Sequence, residues 1–424
     1  MRLRALLSLL LLPSIAQAAT FGRTSNAKVA GYPVILVPGY AGSQLEANLT
    51  GKPSTVHYLC SSLTSDYFDL WLDLTNFAPI KIDCWVDNMK MIYNVTDGTT
   101  SNMPGVDIRV PGGFSDTDGV EWLDKSKASQ GRYFVDIADA LVGWGYSRGK
   151  DLVGAPFDWR KAPNEQTAYF KQLRATTQSL YNWNKKKVVF IAHSMGNPML
   201  KYFLDNFVDS EWKDTYVRSF VSIAPPWGGS LQIVKLFASG YNMNYYRIIL
   251  PPSKMRDMQR SFTASALLYP NAAAWDPDYA LASAPDKNYT ITNIEEFFKD
   301  VNYTMGWQQY LKAGPPNLSF EAPDVETHCA YGTGVDTPEH FDWRKGYFPD
   351  YPPEILNGDG DGTVNRRSAE VCNKWAANRK KSGLFGKIHG PQITSESFVK
   401  TDHMEILKHP GVIEIVRKAV YDEF

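Results

Sequence analysis

Cysteine is scarce: the chain carries four in 424 residues. A chain of this length can bury a sizeable core without a dense disulfide framework, which excludes the small cysteine-stapled class. No CxxC pair accompanies those cysteines, which disfavours a structural zinc, and no metal or cofactor is expected. A dominant sign of charge is missing too. Lys and Arg number 44 against 45 Asp and Glu, a formal charge of -1, and so supply no basic footprint for nucleic acid. Fixed-period repeats are absent, against solenoids and propellers. Beyond the N-terminus, no apolar run reaches the roughly 18 residues that a membrane-spanning helix needs. What is plentiful is apolar and aromatic: 44% hydrophobic and 13% aromatic residues describe a soluble globular protein.

The N-terminus reads as an address. Arg2 and Arg4 precede the apolar run Ala5–Leu12, and Ala16-Gln17-Ala18 offers a small-x-small cleavage site. Removal of residues 1–18 as a signal peptide is expected, which routes the chain to the secretory pathway, either the lysosomal lumen or the extracellular space. Asn-x-Ser/Thr sequons at Asn48, Asn94, Asn288, Asn302 and Asn317 agree with that route as glycosylation candidates. The cysteines allow three pairings. Cys60–Cys84 with Cys329–Cys372 is favoured, because each bridge joins sequence neighbours and closes a modest loop.

Strand and helix patterns alternate through the first half. Tyr32–Gly39, Lys150–Pro156, Lys187–Ala192 and Val217–Ile223 read as strands. Residues 131–144, 164–184 and 197–207 show helical spacing, as does a final segment at 411–421. That alternation predicts an α/β fold with a doubly wound, mostly parallel sheet. Residues 225–327 break the pattern with Pro, Asn, Tyr and Ser, and read as an insertion before a strand returns at His328–Gly332.

The sharpest local motif is Ala192-His193-Ser194-Met195-Gly196, between an apolar strand and a helical stretch. That is the setting of a nucleophile elbow, where a serine on a tight turn stands exposed at the strand's carboxyl end. A bare serine is a poor nucleophile and needs a base oriented by a carboxylate. In the α/β-hydrolase order, acid and histidine follow the serine. His403, at a loop-to-helix junction before the last helix, is the preferred base, with His389 as rival and His193 as a structural residue. The acid lies in the glycine-rich run Asn357–Val364, read as turns that leave a carboxylate free to point into a cleft, where Asp359 and Asp361 are both candidates. A calcium loop is the competing reading of that run, and its twelfth position holds Ser368 where a bidentate Glu is required.

Together these segments resemble the lecithin:cholesterol acyltransferase family. The resemblance is carried by Val-Pro-Gly at 37–39 with Gly42–Glu46, Val56–Cys60, Asp83–Asn88, Val142–Tyr146, Gly154–Arg160, Ala192–Asn197, Ala224–Gly229, His328–Gly334 and Gly358–Asn365. It implies an α/β-hydrolase over residues 19–424, with a membrane-binding insertion at 57–95 and a cap or lid at 225–327. It implies the triad Ser194, Asp361 and His403, an oxyanion hole from the backbone N–H groups of Tyr40 and Met195, and the two disulfides already favoured. The implied activity is a serine phospholipase A and O-acyltransferase that passes an acyl chain to water or to a lipid alcohol such as ceramide. Sterol acyl transfer and a non-catalytic lipid carrier are the alternatives. Two departures stand out. Tyr40 occupies a position where an acid-active member carries Asp, and Pro225-Pro226 is doubled.

The expected partner is a phospholipid membrane or lipoprotein surface, met by a monomer. Leu70, Trp71, Leu72, Leu74 and Phe77, inside the Cys60–Cys84 loop, are the expected membrane contacts. The apolar segment from Leu236 to Leu250 is a candidate mobile lid.

Overall fold

The computed structural model describes residues 29–79, 81–127, 131–242, 251–381 and 390–424. The expected signal peptide, the rival His389 and residues 243–250 of the expected lid lie outside them.

Six strands form the central sheet: β1 (Val34–Val37), β2 (Leu152–Gly154), β3 (Val188–His193), β4 (Val217–Ile223), β5 (Thr327–Thr333) and β6 (Ile393–Val399). Their order is β6-β5-β4-β3-β1-β2, and every neighbouring pair is parallel. Strands buried on both faces read as continuous apolar runs, as β1 and β3 do. The chain steps from β1 outward to β2, then returns to the other side of β1 to lay down β3. This reversal opens a crevice beyond the carboxyl ends of β1 and β3, the place where open parallel sheets hold their ligands.

Helices cover both faces. On one lie α1 (Val135–Gly143) and α7 (Pro410–Tyr421), which pack on each other. On the other lie α2 (Thr167–Asn184) and α3 (Gly196–Asn206), joined through Phe170 against Phe203 and Phe207. In α2 the buried Phe170, Leu173, Thr177 and Leu180 recur every three or four residues, so one stripe faces the sheet. Helix α7 starts at Pro410 behind the capping ring of His409. The helix expected from residue 131 begins only at Val135. The preceding backbone is engaged elsewhere, since Leu123 donates to the Gly131 carbonyl and Tyr133 donates to the Glu121 carbonyl.

The glycine-rich run at 357–360 is strand, part of Glu354–Gly360, paired antiparallel with Val335–Asp342. Its glycines serve close approach: a Cβ on Gly360 would meet the Val364 carbonyl oxygen at 2.4 Å. Residues 225–327 leave the sheet after β4 and return to form its neighbour β5. They hold several short helices, among them α4 (Gln232–Ser239) and α5 (Pro252–Arg260). Their rings pack on one another, as Phe237 does on Phe298 and Tyr303, so helical periodicity is blurred by burial on several sides.

Both disulfides join the favoured pairs, Cys60–Cys84 and Cys329–Cys372. The second ties β5 to α6 (Val371–Lys381) and closes a separation of 43 residues. Replacing Cys329 and Cys372 together by Ala should lower the unfolding free energy by about 2–5 kcal/mol. A urea midpoint equal to the parent's would show that the bridge adds nothing.

Candidate active site

Strand β3 delivers Ser194 to the crevice in a left-handed conformation, φ 54°. Such a turn is costly for a residue with a side chain, and neighbouring contacts hold it. The Ser194 amide donates to the Ile223 carbonyl at 3.0 Å. Asn197 Nδ2 donates to the carbonyls of Ser194 and Ile223 at 2.8 and 2.9 Å. The following helix comes so close to β1 that a Cβ on Gly196 would meet the Val37 and Pro38 carbonyl oxygens at 2.5 Å. Ala192 is fully buried, and its methyl group is accommodated where the generic elbow has glycine.

His403 arrives on the loop between β6 and α7, with its Nε2 2.9 Å from Ser194 Oγ. Its Nδ1 lies 2.7 Å from Asp361 Oδ2. Asp361 follows the Glu354–Gly360 strand, and its other oxygen accepts the amides of Thr363 and Val364 at 2.9 and 2.7 Å. The His403 amide donates to the Asp361 carbonyl at 2.9 Å, which fixes the two backbones together. A serine hydroxyl bonded to an imidazole, itself bonded to a buried carboxylate, is arranged to surrender its proton.

The other candidates go elsewhere. Asp359 is exposed, accepts the Gly334 amide and pairs with Arg366, so it does not converge with Asp361. His328 is buried between Glu326 and Thr394, and His340 bonds the Ala280 carbonyl. His193 turns away from Ser194 Oγ, toward Tyr133 Oη and the His403 carbonyl. Burial, helped by the neighbouring His403, pushes its pKa well below the ordinary imidazole value. Tyr133 had no motif to mark it and emerges only from the folded chain.

The turn after β1 runs past the elbow. A Cβ on Gly39 would meet Ser194 Cβ at 2.7 Å and the Met195 amide nitrogen at 3.3 Å, so only glycine fits there. This brings the backbone leading to Tyr40 beside that of Met195. The Tyr40 ring packs on Trp159 with centroids 5.2 Å apart, and its hydroxyl lies 3.4 Å from Ser265 Oγ. Burial raises the Tyr40 pKa above its usual value, so the ring stays neutral.

Ser194 and His403 open into a cleft walled by apolar side chains such as Leu236, Met258 and Phe262. Here the expected membrane contacts need correction. Leu70 and Phe77 are 1% and 2% exposed, Trp71 and Leu72 are buried, and Leu74 is half-buried. Trp71 donates its indole N–H to the Ala41 carbonyl at 2.8 Å and, with Leu72, lines the cleft. Phe77 packs on Trp71 and Trp85. Their apolar density serves the interior. Among the apolar side chains that do reach the surface, three flank Cys60: Tyr58 at 86%, Leu59 at 58% and Leu63 at 67% exposure. Interleaving with His and Ser hid them from a search for dense apolar runs. Among the sequons, Asn94, Asn288, Asn302 and Asn317 are exposed. Asn48 is half-buried in a strand, and its Oδ1 accepts from Thr64 at 2.8 Å.

A family model described as lecithin:cholesterol acyltransferase matches residues 67–410. The lysosomal phospholipase A and acyltransferase of Homo sapiens is 41% identical over 92% of this chain and 90% of its own. The Bos taurus protein of that name is 45% identical over 84% and 86%. The phosphatidylcholine-sterol acyltransferase of Gallus gallus is 40% identical over 84% and 85%. Among solved structures, a Bacillus licheniformis lipase in mature form superposes with TM-score 0.36 at 13% identity, over 93% of this chain and 94% of that chain.

A fluorophosphonate should label the protein at Ser194, and Ser194→Ala should remove the label. Asp361→Asn should slow labelling by about 10³–10⁴-fold, because an amide at that position favours the wrong imidazole tautomer. Labelling of Asp361→Asn at the parent rate would show that the carboxylate does not govern the serine.

Proposed function

Because the chain belongs to the lecithin:cholesterol acyltransferase family, we propose that it is a serine phospholipase A and O-acyltransferase. The observation that carries this reading is the string Asp361–His403–Ser194 opening into an apolar cleft. In this reading Ser194 Oγ attacks the acyl ester carbonyl of a glycerophospholipid as His403 Nε2 takes its proton. Asp361 holds the imidazole in the tautomer that exposes Nε2 to the serine, and stabilises the imidazolium that follows. The Tyr40 and Met195 amides receive the developing oxyanion. His403 then protonates the departing lysolipid oxygen. Water or a lipid alcohol, deprotonated by His403, attacks the acyl-enzyme and restores Ser194. The apolar walls accept the acyl chain and shield the ester intermediate from bulk water.

The substrate sits in a bilayer, so the cleft must be brought to one. The face best suited is that of Tyr58, Leu59 and Leu63, exposed apolar groups beside the Cys60–Cys84 bridge. Residues 57–95 then act as the membrane-binding insertion, while 225–327 supply the cap that walls the cleft with Leu236 and Met258. The lysosomal relatives, the N-terminal address and the exposed sequons support a place in the lysosomal lumen or outside the cell. The likeness to a sterol acyltransferase favours one second reading, in which the acceptor is a sterol.

Ser194→Ala should abolish fatty-acid release from phosphatidylcholine vesicles, and retained release would sink the assignment. With cholesterol and ceramide offered together, the acyl chain should appear mainly on ceramide; mainly sterol ester would favour the second reading. Replacing Tyr58, Leu59 and Leu63 together by Ser should lower the vesicle-bound fraction in a flotation assay by about tenfold. An unchanged fraction would remove this face from the membrane.

A further inference from the structure

Three segments that must meet at the reacting centre come from distant parts of the chain: the oxyanion turn at Gly39–Tyr40, the elbow at His193–Ser194 and the loop bearing His403. One string of hydrogen bonds runs through all three. The Gly39 amide donates to Tyr133 Oη at 2.9 Å. Tyr133 Oη lies 2.7 Å from His193 Nδ1. His193 Nε2 lies 2.8 Å from the His403 carbonyl oxygen. Tyr133 and His193 are both buried, so bulk water does not compete for these partners.

The two ends dictate where every hydrogen sits. An amide only donates and a carbonyl only accepts. In a neutral His193 whose Nε2 donates to that carbonyl, Nδ1 is bare, so Tyr133 accepts from Gly39 and sends its own proton to Nδ1. His193 then carries its single proton on Nε2 and donates it to His403. A second proton on His193 would make Nδ1 a donor to Tyr133 and leave the Tyr133 hydroxyl hydrogen without this acceptor. The depressed basicity of His193, caused by burial and by the His403 ring 4.8 Å away, keeps that proton off.

Each end of the string clamps a peptide that is also held on its other side. At the oxyanion turn, the Gly39 carbonyl accepts the Gly42 amide at 3.0 Å, while Tyr133 holds the Gly39 amide. The Tyr133 ring fills the space beside Gly42, where a Cβ would meet its Cε1 at 2.9 Å. At the base loop, the His403 amide is held by the Asp361 carbonyl and the His403 carbonyl by His193. The turn carrying the Tyr40 amide and the peptide carrying the catalytic imidazole are thus set relative to each other through two side chains.

We propose that Tyr133 and His193 are positioning residues that hold the oxyanion turn and the His403 loop in register with Ser194. They touch no reacting atom and act through the Gly39 amide and the His403 carbonyl. This rests on the triad reading above and adds to it. The string secures geometry needed only when the tetrahedral oxyanion forms, so its loss raises the barrier and leaves ground-state lipid binding nearly intact.

The test uses the full-length secreted protein on phosphatidylcholine vesicles. Tyr133→Phe should lower kcat by about 10–100-fold with KM within about twofold of the parent. A long-chain trifluoromethyl ketone, which adds to the serine as an oxyanionic hemiketal, should lose affinity by the same factor as kcat. An uncleavable ether-linked phosphatidylcholine should bind as it does to the parent. His193→Gln places an amide nitrogen near the position of Nε2 and keeps a donor to His403, so it should retain more kcat than His193→Ala. That pair decides the matter even if Tyr133→Phe fails to fold. The proposal is overturned if Tyr133→Phe keeps kcat within twofold, if both ligands weaken in parallel, or if the Gln and Ala variants are equal. Turnover by Ser194→Ala would overturn the triad reading instead.

Discussion

Everything at this site depends on one strained residue, Ser194, held at φ 54° at the end of a fully buried strand. A side chain in that conformation costs about 1–3 kcal/mol and persists only where its surroundings leave no alternative. Here the amide and carbonyl of Ser194 are both hydrogen-bonded, and Gly39 and Gly196 let the β1 backbone close around the turn. Ala41 and Ala224 are among the other residues with side chains at positive φ, at 58° and 46°. They follow β1 and β4, the strands on either side of β3. Three of the strained positions thus lie just beyond the carboxyl ends of three adjacent parallel strands, where the crevice needs sharp turns.

Around that turn, two kinds of surroundings divide the work. The cleft is apolar, suited to an acyl chain and poor at solvating charge. Behind it, the polar groups are paired into two strings that share His403. One joins Ser194, His403 and Asp361 through side chains, and the other joins Gly39, Tyr133, His193 and His403 through to a carbonyl. In a low-dielectric setting a fully paired string is rigid, and an unpaired member would be costly. The same apolar surroundings that favour lipid thus sharpen the geometry of the groups that would cleave it.

The legible parts were those with a short-range cause. The apolar run Val188–Ile191 and the three-to-four spacing at Phe170, Leu173, Thr177 and Leu180 report burial on a sheet and on one helix face. Residues 357–360 were misleading, because glycine placed for close approach in a strand looks like glycine placed for a turn. The dense apolar stretch around Leu70–Phe77 misled for a related reason. Composition reports apolarity, and only packing decides whether that apolarity meets a bilayer or lines a cleft.

The sequence by itself determined the alternating α/β pattern, the elbow around Ser194 and a short roster of acids and histidines, because backbone periodicity and turn chemistry act over a few residues. Residue patterns left Asp359 and Asp361 both open, the family resemblance named Asp361, and tertiary structure decided the contacts. Asp361 and not Asp359 reaches His403, His193 faces Tyr133 and not the serine, and Tyr58, Leu59 and Leu63 take the surface in place of Leu70 and Phe77. The reason is that hydrogen-bond partners and burial are set by segments 25 to more than 200 residues apart, as in Asp359 with Gly334 and His193 with His403, and no local pattern records them.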